Sequence, residues 1–460
     1  MQSKVARDKK PLIVHMAEWI TQRESVWPQE VILRTEHALA DTLACIVAGA
    51  SDPVACKARA ASQLWGEGNA TVIGGGVQLS APGAALVNGT AAHVLEIDDN
   101  YYPALTHASA VIVPALLALA DELNSKGCEL IDAYIVGLEI HALLGRGVNR
   151  SHYFAGWHPT ATIGCIGTAA ACARLLRLNL EQTIAAVSIA TSMACGNKAQ
   201  FGTEVKSLQC GIGASNAVKA ARLAQAGIQG NPDVLEDPQG FLSLYGGPNP
   251  RGWAEPLLKL DNPLAMQEYG LAPKRHACCG SAHNTLDSIL ALVEEHKFTA
   301  DDVLSVEVLI GSSNRKNLRY DNPVDEFQAR FSMNYNVALI LLQGKVTLDD
   351  FTAQAVQRPE VRDLFSVTTT NARSFEEEPL DPDDRPPHLV KITLKDGRIL
   401  ERSRIFAKGL IQDPFTDSER RLKLVSCCEP VLGTAKTTEL EAVLMNISTV
   451  CVRDLTNLLK

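Results

Sequence analysis

From Pro11 to about Tyr269, apolar positions recur with a helical period almost without a break, and the pattern predicts helices over 29–48, 111–123, 131–144 and 161–176. Ala, Gly, Ser and Cys crowd these segments. Small side chains let helix axes approach closely, so a compact, mostly buried bundle is expected here, with Gly74-Gly75-Gly76 as a turn between elements. After Gly270 the texture changes. Val306, Val308 and Ile310 alternate with Glu307 and Leu309, and Val390, Ile392 and Leu394 alternate with Lys391, Thr393 and Lys395, as strands with one buried face do. Asp396-Gly397 supplies the positive φ angles of a hairpin turn before a return strand over 398–401. Between these strands, 284–296, 335–342 and 349–356 read as helices, the last opened by Thr347-x-x-Asp350 as a loose capping box. The stretch 374–387, with Glu376-Glu377-Glu378 and four prolines, reads as a solvated loop. Helical periodicity returns at 419–424 and 438–459. The expected fold is mainly α: a large all-helical domain from residues 1–269 with 406–460, and a smaller α+β domain, 270–405, as an insertion.

A chain of 460 residues that is 46% hydrophobic has enough material for two cores. The net charge of -9 excludes nucleic acid as the general partner, because phosphate neutralisation needs a basic surface. Twelve cysteines do not form a recognisable framework: Cys45, Cys165, Cys172 and Cys195 sit among small or apolar residues, and no Cys-x-x-Cys occurs. Cys278-Cys279 and Cys427-Cys428 lack zinc-ligand spacing. Met1–Lys10 is polar and basic without an apolar signal core, and no uninterrupted apolar run is long enough for a bilayer. These features predict a cytoplasmic protein without a membrane partner.

The chemistry concentrates in three loops that run into small-residue helices: Thr106-His107-Ala108-Ser109, Gly156-Trp157-His158-Pro159-Thr160 and Gly202-Thr203-Glu204-Val205-Lys206-Ser207. A helix N-terminus offers unpaired N–H groups and partial positive charge, so it attracts carboxylates and lowers the pKa of a nearby histidine. Ser109 is placed to cap a helix from Val111, with Pro114 in its first turn, and Thr160 or Thr162 to cap the helix after His158. Singly, each histidine reads as a structural residue and Lys206 as a solvent-facing lysine; together they supply local positive charge and proton transfer. His93 and Glu96, a helical turn apart, share a face with Asn100 if the helix continues, the competing reading being a solvated helix end. His-Glu-x-x-His, a Walker loop and a strand-to-helix Gly-x-Ser-x-Gly are all missing, which argues against the matching hydrolase and nucleotide chemistries.

The whole chain resembles the 2-methylcitrate dehydratase (MmgE/PrpD) superfamily, which includes cis-aconitate decarboxylases and iminodisuccinate epimerases. The resemblance rests on Val87-Asn88-Gly89-Thr90-Ala91-Ala92-His93 through Asp99, Thr106-His107, Ala155 through Thr160, Gly202-Thr203 with Lys206-Ser207-Leu208, Lys274 through His283, and Phe331-Ser332 with Tyr335. It implies a helical domain built from both chain ends, an α+β lid, a homodimer, and a site at the domain junction that needs no cofactor or metal. Catalytic roles pass to His107, His158 and Lys206, and substrate-binding roles to Glu96, Asn100, Lys274, Cys279 and His283. Three residues depart from the decarboxylase pattern: Glu96 stands for Asp, Gln209 for a His, and Cys279 for an active-site His. The last departure argues against decarboxylation and, with the Gly-Trp-His-Pro-Thr loop, resembles the epimerase branch.

The expected function is therefore an acid-base lyase or isomerase that abstracts a proton next to a carboxylate of a small di- or tricarboxylate, dehydratase-like or epimerase-like. The alternatives are a cis-aconitate decarboxylase-like activity, a non-catalytic carboxylate binder, or a metal hydrolase using His93, His107 and Glu96. Cys279 is expected to face the pocket and Cys427-Cys428 is not, while Lys274 and Arg275 bring positive charge onto the substrate's far carboxylate as the lid closes.

Overall fold

The computed structural model describes residues 10–381 and 383–460; the expectations for residues 1–9 and for Pro382 lie outside them. The protein is mainly α. Helices α1 (Leu12–Gln22), α2 (Gln29–Gly49), α3 (Pro53–Gln63), α4 (Ala81–Val94), α5 (Ala108–Leu123), α6 (Gly127–Phe154), α7 (Pro159–Leu175), α8 (Leu180–Met193) and α9 (Glu204–Gln225) build the larger part. Their starts follow from local chemistry: Asp52 accepts from Val54 N ahead of Pro53, Asn179 and Gln182 form a reciprocal capping box, and Thr203 accepts from Val205 N.

Helices α4, α5, α7 and α9 are buried nearly all round, which only small side chains permit at short axial separations. The pairing of α4 with α9 is the closest, because glycines meet at the crossing. A Cβ on Gly89 would lie 2.9 Å from Gly211 Cα, and one on Gly211 would collide with Leu86 O. Helix α5 begins at Ala108, not Val111, so Ser109 lies inside its first turn and Pro114 lies in its interior. Proline lacks the N–H that would bond Ala110 O. The Cys210 thiol from α9 takes that place, 3.1 Å from Ala110 O.

The helical part is not all-helical. A hairpin of β1 (Ala70–Val72) and β2 (Val77–Leu79) flanks the predicted glycine turn, and Asn88 Oδ1 and Asp121 Oδ2 hold it by accepting from Ile73 N and Thr71 N. Three-residue strands are too short to leave a periodicity signal.

The second part carries a four-stranded sheet in the order β4-β3-β5-β6: β3 (Val303–Ile310), β4 (Thr368–Ala372), β5 (His388–Leu394) and β6 (Ile399–Arg404). Val306, Val308, Ile310, Val390, Ile392 and Leu394 form its buried face, against α10 (His283–His296) and α11 (Met333–Gln343). Strand β4 runs parallel to β3 and was not predicted, since its Thr-rich sequence has no apolar alternation. Only Gly397 takes positive φ, 90°, in the β5–β6 turn. The segment 348–356 is two short helical turns instead of one helix, although the Thr347–Asp350 box forms. Helix α12 (Asp417–Leu444), broken at Gly433 with φ 76°, joins the predicted tail segments and lies against α2. No single helix among the described residues is long and apolar enough to cross a membrane.

The glycine crossing sets where α4 and α9 deliver their side chains. Gly211→Ala should destabilise the fold by about 1–3 kcal/mol through overpacking and misplace the first turn of α9. Chemical denaturation checks it; an unchanged midpoint would show that the helices can separate without cost.

Candidate active site

Helix α4 stops at Val94, because Glu96 adopts a left-handed conformation with φ 57°. The expected shared helical face of His93, Glu96 and Asn100 is therefore absent; a turn brings the carboxylates together instead. Lys206, in the first turn of α9, reaches across the α4–α9 crossing to bond Glu96 Oε1, with Nζ 3.0 Å from His93 Nε2. Asp98 Oδ2 lies 2.8 Å from His93 Nδ1 and 3.1 Å from His107 Nδ1. Lys274 closes the cluster from the opposite side, donating to Glu96 O (3.0 Å) and lying 3.3 Å from Glu96 Oε2 and 3.8 Å from Asp98 Oδ1.

These groups are buried, and burial alone would push both carboxyls up. For Glu96 the ammonium groups of Lys206 and Lys274 outweigh it, and for Asp98 His93, His107 and Lys274 do, so both carboxyls sit well below the usual range. Asp99 lacks such cations. Burial raises it to about 7 against the hydrogen bonds from Ser109.

His107 and His158 are the residues that immediately precede α5 and α7. Neither Ser109 nor Thr160 caps as expected: Ser109 Oγ bonds Asp99, and Thr160 Oγ1 accepts from His107 N at 3.1 Å. His107 Nδ1 is 2.8 Å from Asp99 O, a pure acceptor, so Nδ1 carries the proton and Nε2 is the basic nitrogen. For His158 the same follows through Gln209, whose Nε2 donates to Asn197 O and so turns Oε1 toward His158 Nδ1 at 2.6 Å. Burial lowers both imidazoles, His107 to about 4 despite Asp98, and His158 further because Lys206 adds to burial. Both are neutral at pH 7.

A cavity of about 190 Å³ opens over this cluster, lined on the helical side by Glu96, Asn100, His107, His158 and Lys206, and on the other by Cys279 and loops of the sheet part. Gly280 allows that approach: a Cβ there would lie 2.6 Å from Asn100 Nδ2. The structure does not bring every expected residue to the cavity. Lys274 is 2% exposed and turned away, because its charge neutralises Glu96 and Asp98. Arg275 pairs with Asp287 at 3.6 Å instead of lining the cavity. His283 is buried behind Cys279, with Nε2 3.2 Å from Cys278 O and its ring edge-on to His276. Cys427 and Cys428 are buried away from the cavity.

The 374–387 stretch is largely exposed, as a solvated loop would be, but it is pinned at three carboxylates. Glu378 is buried, accepting from Ser313 N at 2.7 Å, Asp383 pairs with Arg146 at 2.5 Å, and Asp381 pairs with Arg251. This segment and α6 carry Arg385 and Arg150 to the cavity wall, where the sequence reading placed neither. The sequence showed the loop but not these contacts, because the partners lie more than 60 residues away.

His93, Asp98 and His107 present donor atoms within 4.8 Å of one another, the spacing of a metal site. Both imidazole Nδ1 atoms converge on one oxygen of Asp98, while Lys206 and Lys274 hold Glu96. That donor set is a hydrogen-bonded cluster with two ammonium groups against it, unlike the His93, His107 and Glu96 set of the hydrolase alternative.

The family model described as the MmgE/PrpD N-terminal domain matches residues 14–253, and the MmgE/PrpD C-terminal domain matches 276–447. Cis-aconitate decarboxylase of Mus musculus is 29% identical over 414 residues, covering 85% of this chain and 81% of the relative. The cis-aconitate decarboxylase of Homo sapiens is 30% identical, over 80% of this chain and 77% of its own length. A mitochondrial 2-methylcitrate dehydratase of Yarrowia lipolytica is 28% identical over 51% of this chain and 46% of its own. These similarities favour the decarboxylase-like alternative over the epimerase-like reading drawn from Cys279. That reading rested on one residue of the cavity wall, and the similarities extend over most of the chain.

Lys274 is a buried cation with two carboxylates. Lys274→Met should therefore cost about 3–5 kcal/mol of folding stability, the cost of breaking a buried pair from one side. Urea denaturation at pH 7 measures it, and a loss under 1 kcal/mol would mean that Lys206 alone suffices for both carboxylates.

Proposed function

The chain belongs to the MmgE/PrpD family, and from that premise we propose that it is an acid-base lyase that decarboxylates a cis-aconitate-like unsaturated tricarboxylate. The carrying observation is the pair of neutral imidazoles, His107 and His158, whose Nδ1 positions are pinned by Asp99 O and Gln209 beside Lys206. In this reading Lys206 binds a substrate carboxylate, Asn100 and Glu96 position it, and Cys279 forms part of the far wall. Residues 270–405 act as the lid over the helical domain and exclude water from a carbanion-like intermediate.

Decarboxylation breaks the bond between the methylene carbon and its carboxylate. The electron pair forms a new C=C bond, the original double bond shifts, and a proton is added at the far alkene carbon; CO2 leaves, and a trianion plus one proton becomes a dianion. His107 is the donor. Asp98 stabilises its imidazolium, whereas His158 faces Lys206, which opposes a second positive charge. Dehydration of a 2-methylcitrate-like substrate is the second reading, supported by the similarity to the Yarrowia lipolytica dehydratase; there His158, held neutral by burial and Lys206, is the base.

Purified protein incubated with cis-aconitate in D2O should release CO2 and place one deuterium at the former alkene carbon. His107→Gln should slow turnover by about 10²- to 10⁴-fold, the usual range for a general acid. Dehydration of 2-methylcitrate without cis-aconitate turnover would replace the first reading by the second. Tight binding without turnover of either would leave the non-catalytic binder.

The free-state imidazole of His107 titrates at about 4 because it is buried. A bound polyanion favours the charged form, so its pKa rises on binding and the complex holds more protons than the free protein. Binding should therefore take up a proton near pH 7, and affinity should fall as pH rises through the bound-state pKa. Calorimetry in buffers of different ionisation enthalpy reads this directly; equal apparent enthalpies would sink it.

A further inference from the structure

The cavity has a second group of charges apart from the three loops. Helix α6 is interrupted at Asn149, where φ 47° and ψ -155° are a strained combination for a residue with a side chain. Asn149 Oδ1 accepts from Ser151 N at 2.6 Å, and Asn149 Nδ2 donates to Asn249 O at 2.9 Å, so the break is held on both sides. It delivers the next residue, Arg150, to the cavity wall. Arg385 joins it from the 374–387 segment, its guanidinium 3.7 Å above the ring of Tyr102 from the helical part.

Carboxylates act on both cations: Glu378, Asp384 and Asp381 on Arg150, and Asp383 on Arg385. Glu378 is the carboxylate on this wall, and Ser313 engages it through both N–H and hydroxyl. Arg150 Nη2 donates to Asp384 O at 3.0 Å, but its Nε is buried with no hydrogen-bond partner. Burial lowers the Arg150 pKa, and Arg385 lowers it further against Glu378, Asp384 and Asp381; burial lowers Arg385 too. A buried guanidinium N–H left without a partner beside the cavity is satisfied by an acceptor that enters it. A carboxylate matches the planar fork of Arg.

We propose that Arg150 and Arg385 form a second carboxylate-binding site of this cavity, distinct from the one at Lys206, and that they select substrates carrying an additional carboxylate. The inference rests on the reading of the cavity as a polycarboxylate site. It replaces Lys274 and Arg275, which the sequence suggested for this task and which are committed to Glu96, Asp98 and Asp287. The site prefers a tricarboxylate to a dicarboxylate of the same carbon skeleton. The plain structural role, in which Arg150 only ties down the 380–384 segment through Asp384 O and Leu380 O, predicts no such preference.

Binding separates the two without relying on turnover. Tricarballylate and methylsuccinate differ by one terminal carboxylate, and calorimetry on the full chain gives the affinity of each. Wild type should bind tricarballylate about 10- to 100-fold more tightly, the worth of a charge-assisted hydrogen-bond pair. Arg150→Gln and Arg385→Gln should each remove most of that ratio and leave methylsuccinate affinity unchanged; Arg385→Lys, which keeps the charge and the stacking stem, should restore part of it. Equal affinity of wild type for the two acids, or arginine substitutions that weaken both acids alike, would overturn the proposal while the Lys206 site stands. Failure of wild type to bind either acid would overturn the polycarboxylate reading beneath it.

Discussion

Everything at the centre of this protein depends on keeping two carboxylates, two lysines and two histidines out of water at once. Glu96 stays ionised because Lys206 arrives from α9 and Lys274 from the second part of the chain, and Asp98 because His93 and His107 flank it with Lys274 beyond them. A buried ion is tolerated when it is paired and expensive when it is not. The cluster thus ties the two halves of the fold together, and its formation requires both.

That requirement explains the composition of the surrounding helices. Lys206 can reach Glu96 only if α9 lies close against α4, and the glycines at 89 and 211 permit it. The Pro114 break in α5 costs a backbone hydrogen bond, which Cys210 of α9 supplies. The small-residue texture is therefore a condition of the site as well as of the packing. The histidines gain their tautomers from the same closeness: Asp99 O and Gln209 each fix one proton, leaving a basic nitrogen on the second atom of each ring.

The cavity combines a rigid floor with a wall made of long-range contacts. The floor comes from helix starts inside a continuous core. The wall comes from residues 279–281, the short helix Ser312–Asn317 and the 378–387 segment, held by pairs such as Ser313–Glu378 and Arg146–Asp383. Catalytic groups placed on rigid elements keep their geometry, and loops are free to set the size and charge of what fits.

Helical periodicity, the strands around 303–310 and 388–402, and the three loops bearing His107, His158 and Lys206 were legible in the chain alone, because each is a local pattern of residue type and spacing. The hairpin at 70–79 and the strand at 368–372 were not; three apolar residues or a run of threonines become strands only beside a partner. Glu96 was legible as a site residue but not as a left-handed turn, and Lys274 was legible as a cation but not as the neutraliser of Glu96 and Asp98. Arg150, Arg385 and Glu378 were invisible, since nothing near them in sequence distinguishes a cavity wall from a solvated loop. The sequence by itself determined the helical architecture and the loops that bring His107, His158 and Lys206 to the cavity. The tertiary structure decided which charges face each other and which face the cavity, because burial and Coulomb pairing depend on distances that only packing sets.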